Sequence, residues 1–147
     1  MSKEMEIPAR EKFSFFQPVR VHYADTDAQR VVYYGSHFTY MESANQEYWH
    51  RMGIKLKDLF DQGLFLSIVE ARCRYLSPGF YDDILDVYVR MSEMRNRSFD
   101  LDYLIVRRKD DTTIAVGKTV FVIVGEDWKP KQIPDWFRKA VESFEKA

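Results

Sequence analysis

Residues 25–30 read Asp-Thr-Asp-Ala-Gln-Arg, the densest grouping of polar beside apolar side chains in the chain. The segment lies ahead of a stretch with helical spacing. A loop that ends at a helix N-terminus presents free backbone N–H groups and the positive end of the helix dipole. Such donors can hold a developing oxyanion. A carboxylate a few residues earlier can attack a carbonyl or activate water over the same spot. Asp25 and Asp27 both qualify, and the ordinary alternative is that they are turn and capping residues. His22, His37 and His50 stand singly, without HExxH or clustered ligand spacing, so no metal site is expected. The chain has no GxGxxG, GxxxxGK[ST] or GxSxG, which leaves no case for a dinucleotide fold, a P-loop or a serine-hydrolase elbow. Cys73 falls inside a strand pattern and reads as a small core residue rather than a nucleophile. Two basic turns, Arg95-Asn96-Arg97 and Arg107-Arg108-Lys109, gain interest only for a ligand that carries phosphates.

The elements that must position these residues follow from periodicity. Aromatic and β-branched residues over 13–23 predict a strand, with Pro18 marking a sheet edge or bulge. Residues 24–36 form a loop. A long helix is expected over about 37–52, where Phe38, Met41, Asn45, Tyr48, Trp49 and Met52 recur at spacings of three and four. Ser36 sits at its N-cap, and Gly53 sits where it stops. A short helical piece starts at Leu56. Alternating patterns over 65–76, 84–94, 98–108 and 112–125 predict four more strands. Their short links, SPGFYDD, RNR and KDD, predict antiparallel neighbours. Residues 1–12 read as a flexible polar lead-in, and 134–147 as an amphipathic C-terminal helix that starts at Pro134.

The chain of 147 residues is the size of one domain. With 46% hydrophobic and 31% charged residues it fits a folded globular class rather than a disordered one. A net charge of −1 removes any bulk drive toward nucleic acid or anionic membrane. The single cysteine excludes an intrachain disulfide and a cysteine-based zinc site. The longest apolar run, 120–124, is far short of the ~20 residues of a spanning helix. The N-terminus lacks the apolar core of a signal peptide. A soluble cytoplasmic protein of α+β class is expected, one helix laid on a curled antiparallel sheet.

The stretch VRVHYADTDAQRVVYYGSHFTYMESA resembles the signature of the hydroxybenzoyl-CoA thioesterase family of hotdog proteins, closest to the branch of bacterial acyl-CoA thioesterases associated with the Tol-Pal cluster. Tyr75-Leu76-Ser77-Pro78 followed by Asp82-Asp83-Ile84-Leu85 resembles the family's second motif. The resemblance implies a hotdog fold of about five strands around one long helix. It implies hydrolysis of acyl-CoA thioesters with no metal or other cofactor, by an Asp acting as nucleophile or general base. The catalytic carboxylate of the family falls on Asp27. The backbone oxyanion donor falls on Tyr34 or its neighbour Gly35. Two positions depart from the pattern: Arg30 stands where the family usually has Gly, and Tyr34 where the Tol-Pal-associated branch commonly has His.

On this reading the acyl group lies near Tyr33, Tyr34, Phe38 and Met41, and Arg95 and Arg97 meet the CoA phosphates. The main alternative is a non-catalytic subunit of the same fold that binds acyl-CoA or acyl carrier protein. The Arg30 departure favours that alternative. A hotdog dehydratase would need a His paired with an acid, and a purely structural module would use the Asp pair only as a turn. Strands apolar on both faces, such as 84–94 and 112–124, need a second cover beyond one helix. A homo-oligomer is therefore expected, a dimer or a homotetramer built from dimers, as the family also implies.

Overall fold

The computed structural model describes residues 5–146. The first four residues of the expected lead-in and Ala147 lie outside the described residues. The chain forms β1 (Phe16–Arg20), α1 (Ser36–Arg51), α2 (Leu56–Asp61), β2 (Phe65–Tyr75), β3 (Ile84–Met94), β4 (Ser98–Arg107), β5 (Thr112–Val124) and α3 (Asp135–Lys146). The strands make one antiparallel sheet in the order β1-β3-β4-β5-β2. It curls around α1 without closing, as expected of a hotdog fold.

Alternation along the strands decides what covers each face. The inner face presents Val87, Val89, Leu101, Tyr103 and Ile123, which bury Met41, Ala44, Tyr48 and Trp49 of α1. Register irregularities at Ile68/Glu70, Met91/Glu93 and Ile105/Val106 bend the strands and help the sheet wrap. Gly117 of β5 serves this packing directly: a Cβ there would collide with the Met41 side chain. Beyond the C-terminal end of α1, Phe137 of α3 packs on Trp49 and Phe99, and Phe99 stacks on Phe121. Tyr48 accepts the Met91 N–H at 3.0 Å and donates to Glu145. These contacts close the side of the helix end that faces α3.

Four sequence expectations change. The first strand is shorter than 13–23. The helix begins one residue earlier than expected, with Gly35 at the N-cap and Ser36 as its first residue, whose hydroxyl donates to the Asp25 carbonyl at 3.2 Å. The RNR and KDD links make hairpins, but SPGFYDD carries the chain from β2 at one edge to β3 near the other. Finally, where a flexible lead-in was expected, residues 5–13 lie across the outer face. The Met5 carbonyl accepts from Arg74 at 2.8 Å, and Phe13 packs with Leu104, Val106 and Val116. The chain itself thus covers part of the face for which a second molecule was expected. The next row of that face carries Arg72, Lys118, Asp102 and Arg90 in register across four strands, with Lys118 Nζ 2.9 Å from Asp102.

The crossover after β2 supports the Asp25–Arg30 loop. Val32 N–H donates to the Gly79 carbonyl at 2.8 Å, Val21 N–H donates to the Asp83 carbonyl at 2.9 Å, and the Val21 carbonyl accepts the Asp82 N–H at 2.9 Å. Buried Arg107 clamps the crossover by donating to the Pro78 carbonyl and to Asp83. Among the described residues no helix is long and apolar enough to cross a membrane.

Candidate active site

The two aspartates of the loop have different partners. Asp25 Oδ2 accepts from the His22 N–H and from the Tyr40 hydroxyl, each at 2.9 Å. The Asp25 carbonyl accepts the Tyr33 N–H at 2.8 Å. Asp25 therefore ties the loop to the first turns of α1. Asp27 Oδ1 accepts only the Gln29 N–H, at 2.8 Å, in an Asx turn. Among the described residues its second oxygen has no hydrogen-bond partner. Arg30 closes this turn with φ of 66°, the left-handed conformation that glycine adopts freely. Arg30 thus keeps the backbone shape that a glycine would give, and the loop carries no mark against catalysis.

At the start of α1 the Tyr34 carbonyl accepts from the Tyr75 hydroxyl at 2.8 Å and lies 3.0 Å from His37 Nδ1. This carbonyl is held from two sides. The N–H groups of Tyr34 and Gly35 donate to no other described residue, as the first groups of a helix do. Asp27, Val31, Val32, Tyr34, His37 and Tyr75 line one open cavity of about 360 Å³, completed by residues 76–78. His37 is buried there, and desolvation lowers its pKa from the ordinary 6.5. The cavity therefore holds a carboxylate oxygen, a helix N-terminus and a neutral imidazole. That set suits attack on a carbonyl whose oxygen turns anionic. No cluster among the described residues could hold a metal ion.

A second cavity of about 380 Å³ runs along α1 toward its C-terminal end, between the helix and β2, and Phe38 and Met41 line it. The four residues expected around the acyl group are thus divided. Tyr34 belongs to the first cavity, Phe38 and Met41 to the second. Tyr33 lines neither; its ring lies against Tyr34 at 4.6 Å and over Gly35. Arg95 and Arg97 are not near Asp27 in this chain. They follow β3, which starts at the clamp under the loop and runs roughly 30 Å away from it. Arg95 binds Asp100 and donates to Ser98 Oγ at 2.7 Å, while Arg97 is exposed.

Sequence reasoning passed over His37 and Tyr75 as site residues. Tyr75 opens the second motif, which was the available signal. For His37 the signal was a polar ring one residue into a helix start.

Residues 21–141 match the family model described as the thioesterase-like superfamily. The chain is 28% identical over 128 residues to a 1,4-dihydroxy-2-naphthoyl-CoA hydrolase of Thermosynechococcus vestitus, covering 83% of this chain and 87% of that one. It is 28% identical over 121 residues to the acyl-CoA thioester hydrolase YbgC of Escherichia coli O157:H7, covering 82% and 90%. The solved structure of a 1,4-dihydroxy-2-naphthoyl-CoA thioesterase from Synechocystis superposes with a TM-score of 0.81 over 86% of this chain and 94% of that one, at 22% identity.

Proposed function

Because the chain belongs to the thioesterase-like superfamily, we propose that it is an acyl-CoA thioester hydrolase in which Asp27 is the reacting carboxylate. The observation that carries this reading is the uncommitted Asp27 oxygen beside the undonated N–H groups of Tyr34 and Gly35, at one cavity. Relatives that act on CoA thioesters support the substrate class.

The thioester carbonyl sits with its oxygen at the Tyr34 N–H, assisted by Gly35 and the helix dipole. One such donor is worth roughly 2.7–4 kcal/mol in the transition state. Asp27 attacks the carbonyl carbon, and the C–S bond breaks to release CoA thiolate. The resulting mixed anhydride is then hydrolysed by water. In the alternative course Asp27 takes a proton from the water that attacks. Held neutral, His37 keeps a positive charge from standing beside the carboxylate. The thiolate is a good leaving group, so no separate acid is required.

The enzyme works in the cytoplasm as a dimer or as a tetramer of dimers. The free edge of β2, where Ile68 and Val69 are 57% and 59% exposed, supports pairing with a second copy. Only from such a copy can Arg97 reach CoA phosphates bound near Asp27.

The test is thiol release from short, medium-chain and aromatic acyl-CoAs. Turnover of at least one, lost in Asp27→Asn, supports the reading. Tight binding of the same esters without turnover would replace it with a binding subunit. Arg97→Ala should raise KM for acyl-CoA and leave acyl-pantetheine, which lacks the nucleotide, unaffected.

A further inference from the structure

The second cavity is apolar along Phe38, Met41, Leu66 and Phe121, with exposed Glu42 and Gln46 also in its lining and a buried polar group formed by Asn45 of α1, Tyr103 of β4 and Thr119 of β5. All three are buried. Asn45 Nδ2 donates to the Tyr103 hydroxyl at 2.9 Å, and the Tyr103 and Thr119 hydroxyls are 3.0 Å apart. Because Tyr103 oxygen already accepts from Asn45, its own proton is free to go to Thr119 Oγ1. Burial raises the Tyr103 pKa to about 12, so that proton stays in place. The run of donors then ends on the Thr119 O–H, which has no acceptor among the described residues. Asn45 Oδ1 likewise accepts no bond from them, and it is not among their sealed, unpartnered atoms. The Thr119 O–H, the second Asn45 N–H and the Asn45 Oδ1 acceptor thus remain at the same cavity wall. A hydroxyl fits between Thr119 and Asn45: it accepts from the Thr119 O–H and donates to Asn45 Oδ1.

From the thioesterase reading, on which this rests, we propose that the acyl group extends past Met41 into the second cavity and that its distal part carries a hydroxyl bound by Asn45 and Thr119. Asn45 lies nine residues after Ser36, about 14 Å along the helix from the oxyanion donors. A hydroxyl close to the thioester cannot reach it, so the ligand class is a medium-chain acyl thioester hydroxylated far from the carbonyl. Met41 stands between the two cavities on the helix: His37, one helical turn before it, lines the first, and Met41 itself lines the second. Its side chain is flexible enough to lean aside for a chain. Apolar lining with a few convergent polar groups is the usual make-up of a specific small-molecule site.

The experiment compares kcat/KM for one medium-chain acyl-CoA with its isomers in which a hydroxyl is walked from the third carbon to the far end. The wild type should prefer one distal isomer at least ~10-fold over the unsubstituted chain, because a site built for a hydroxyl leaves its polar groups unpaired without it. In Thr119→Val, which keeps the shape, and in Asn45→Leu that ratio should fall toward one. Thermal unfolding of each variant shows that it is folded, and Thr119→Val alone suffices if Asn45→Leu is not. Hydrolysis with no preference among the isomers would overturn the inference and leave the thioesterase reading intact. A preference that survives both substitutions, or one for the third-carbon isomer, would also overturn it. Failure to hydrolyse any of the esters would remove both.

Discussion

The two ends of α1 carry similar residue types and use them in opposite ways. At the N-terminal end an aspartate oxygen and two backbone N–H groups have no partner among the described residues, beside an open cavity. At the C-terminal end the Tyr48 hydroxyl is engaged on both sides, Arg95 is bound to Asp100, and Trp49, Phe99 and Phe137 close the space. A polar group sealed from water without a partner costs on the order of 1–3 kcal/mol, but Asp27 is half-buried and Tyr34 is 64% exposed, so water can satisfy these groups until a ligand replaces it. The contrast therefore separates residues proposed for chemistry from residues that hold the chain together, even where both are charged and both lie at a turn.

The largest effect that would sharpen this contrast is expected from Asp27→Asn. It should lower kcat/KM by about 10²–10⁴-fold with the melting temperature unchanged. Asp25→Asn should do the reverse, lowering the melting temperature through the loosened Tyr40 contact more than it lowers kcat. If Asp25→Asn proves the more damaging to kcat, the roles of the pair are exchanged. At the C-terminal end Phe137→Ala should cost roughly 3–5 kcal/mol of stability by denaturant titration, with kcat per folded molecule retained.

A smaller effect concerns His37. Its folded pKa is lowered by burial, so the unfolded chain binds the extra proton more readily. The stability it contributes is complete above the ordinary value of 6.5 and is lost as the pH falls below that through the folded value. Thermal unfolding from pH 8 downward should show that decline, and His37→Phe should flatten it. The smallest change is expected for Arg30→Gly. Relief of a left-handed non-glycine residue and the added freedom of the unfolded chain oppose each other, so stability should shift by less than about 1 kcal/mol. A loss of several kcal/mol would mean that the Arg30 side chain, not its backbone, holds the turn.

Strand positions were legible because a period of two marks a strand wherever it sits; 65–76, 84–94, 98–108 and 112–125 each fall within one residue of the observed ends. The partner of a strand is not written in that period. SPGFYDD has hairpin composition, yet it is held by Val32, Val21 and Arg107, residues distant in sequence, and so it crosses over. The site loop was legible as a place, but the choice between Asp25 and Asp27 was not open to local reasoning. The Tyr40 hydroxyl that engages Asp25 comes from fifteen residues away on the next element. In the same way the charge of Arg95 suggested a phosphate partner, whereas folding the hairpin brings Asp100 against it.

The clamp beneath the site loop bears on the order of folding. The loop is fixed by the crossover, and the crossover is fixed by Arg107, so three segments centred near residues 25, 80 and 107 must meet before the cavity exists. Contacts so far apart in sequence form late, because closing the intervening loops costs entropy before any of them gains a partner. A nascent chain that stops short of β4 has no site, and a partly folded one with α1 already on the early strands has none either. Catalytic competence then arises in the same step as the complete sheet, so the hydrolytic rate counts native molecules alone.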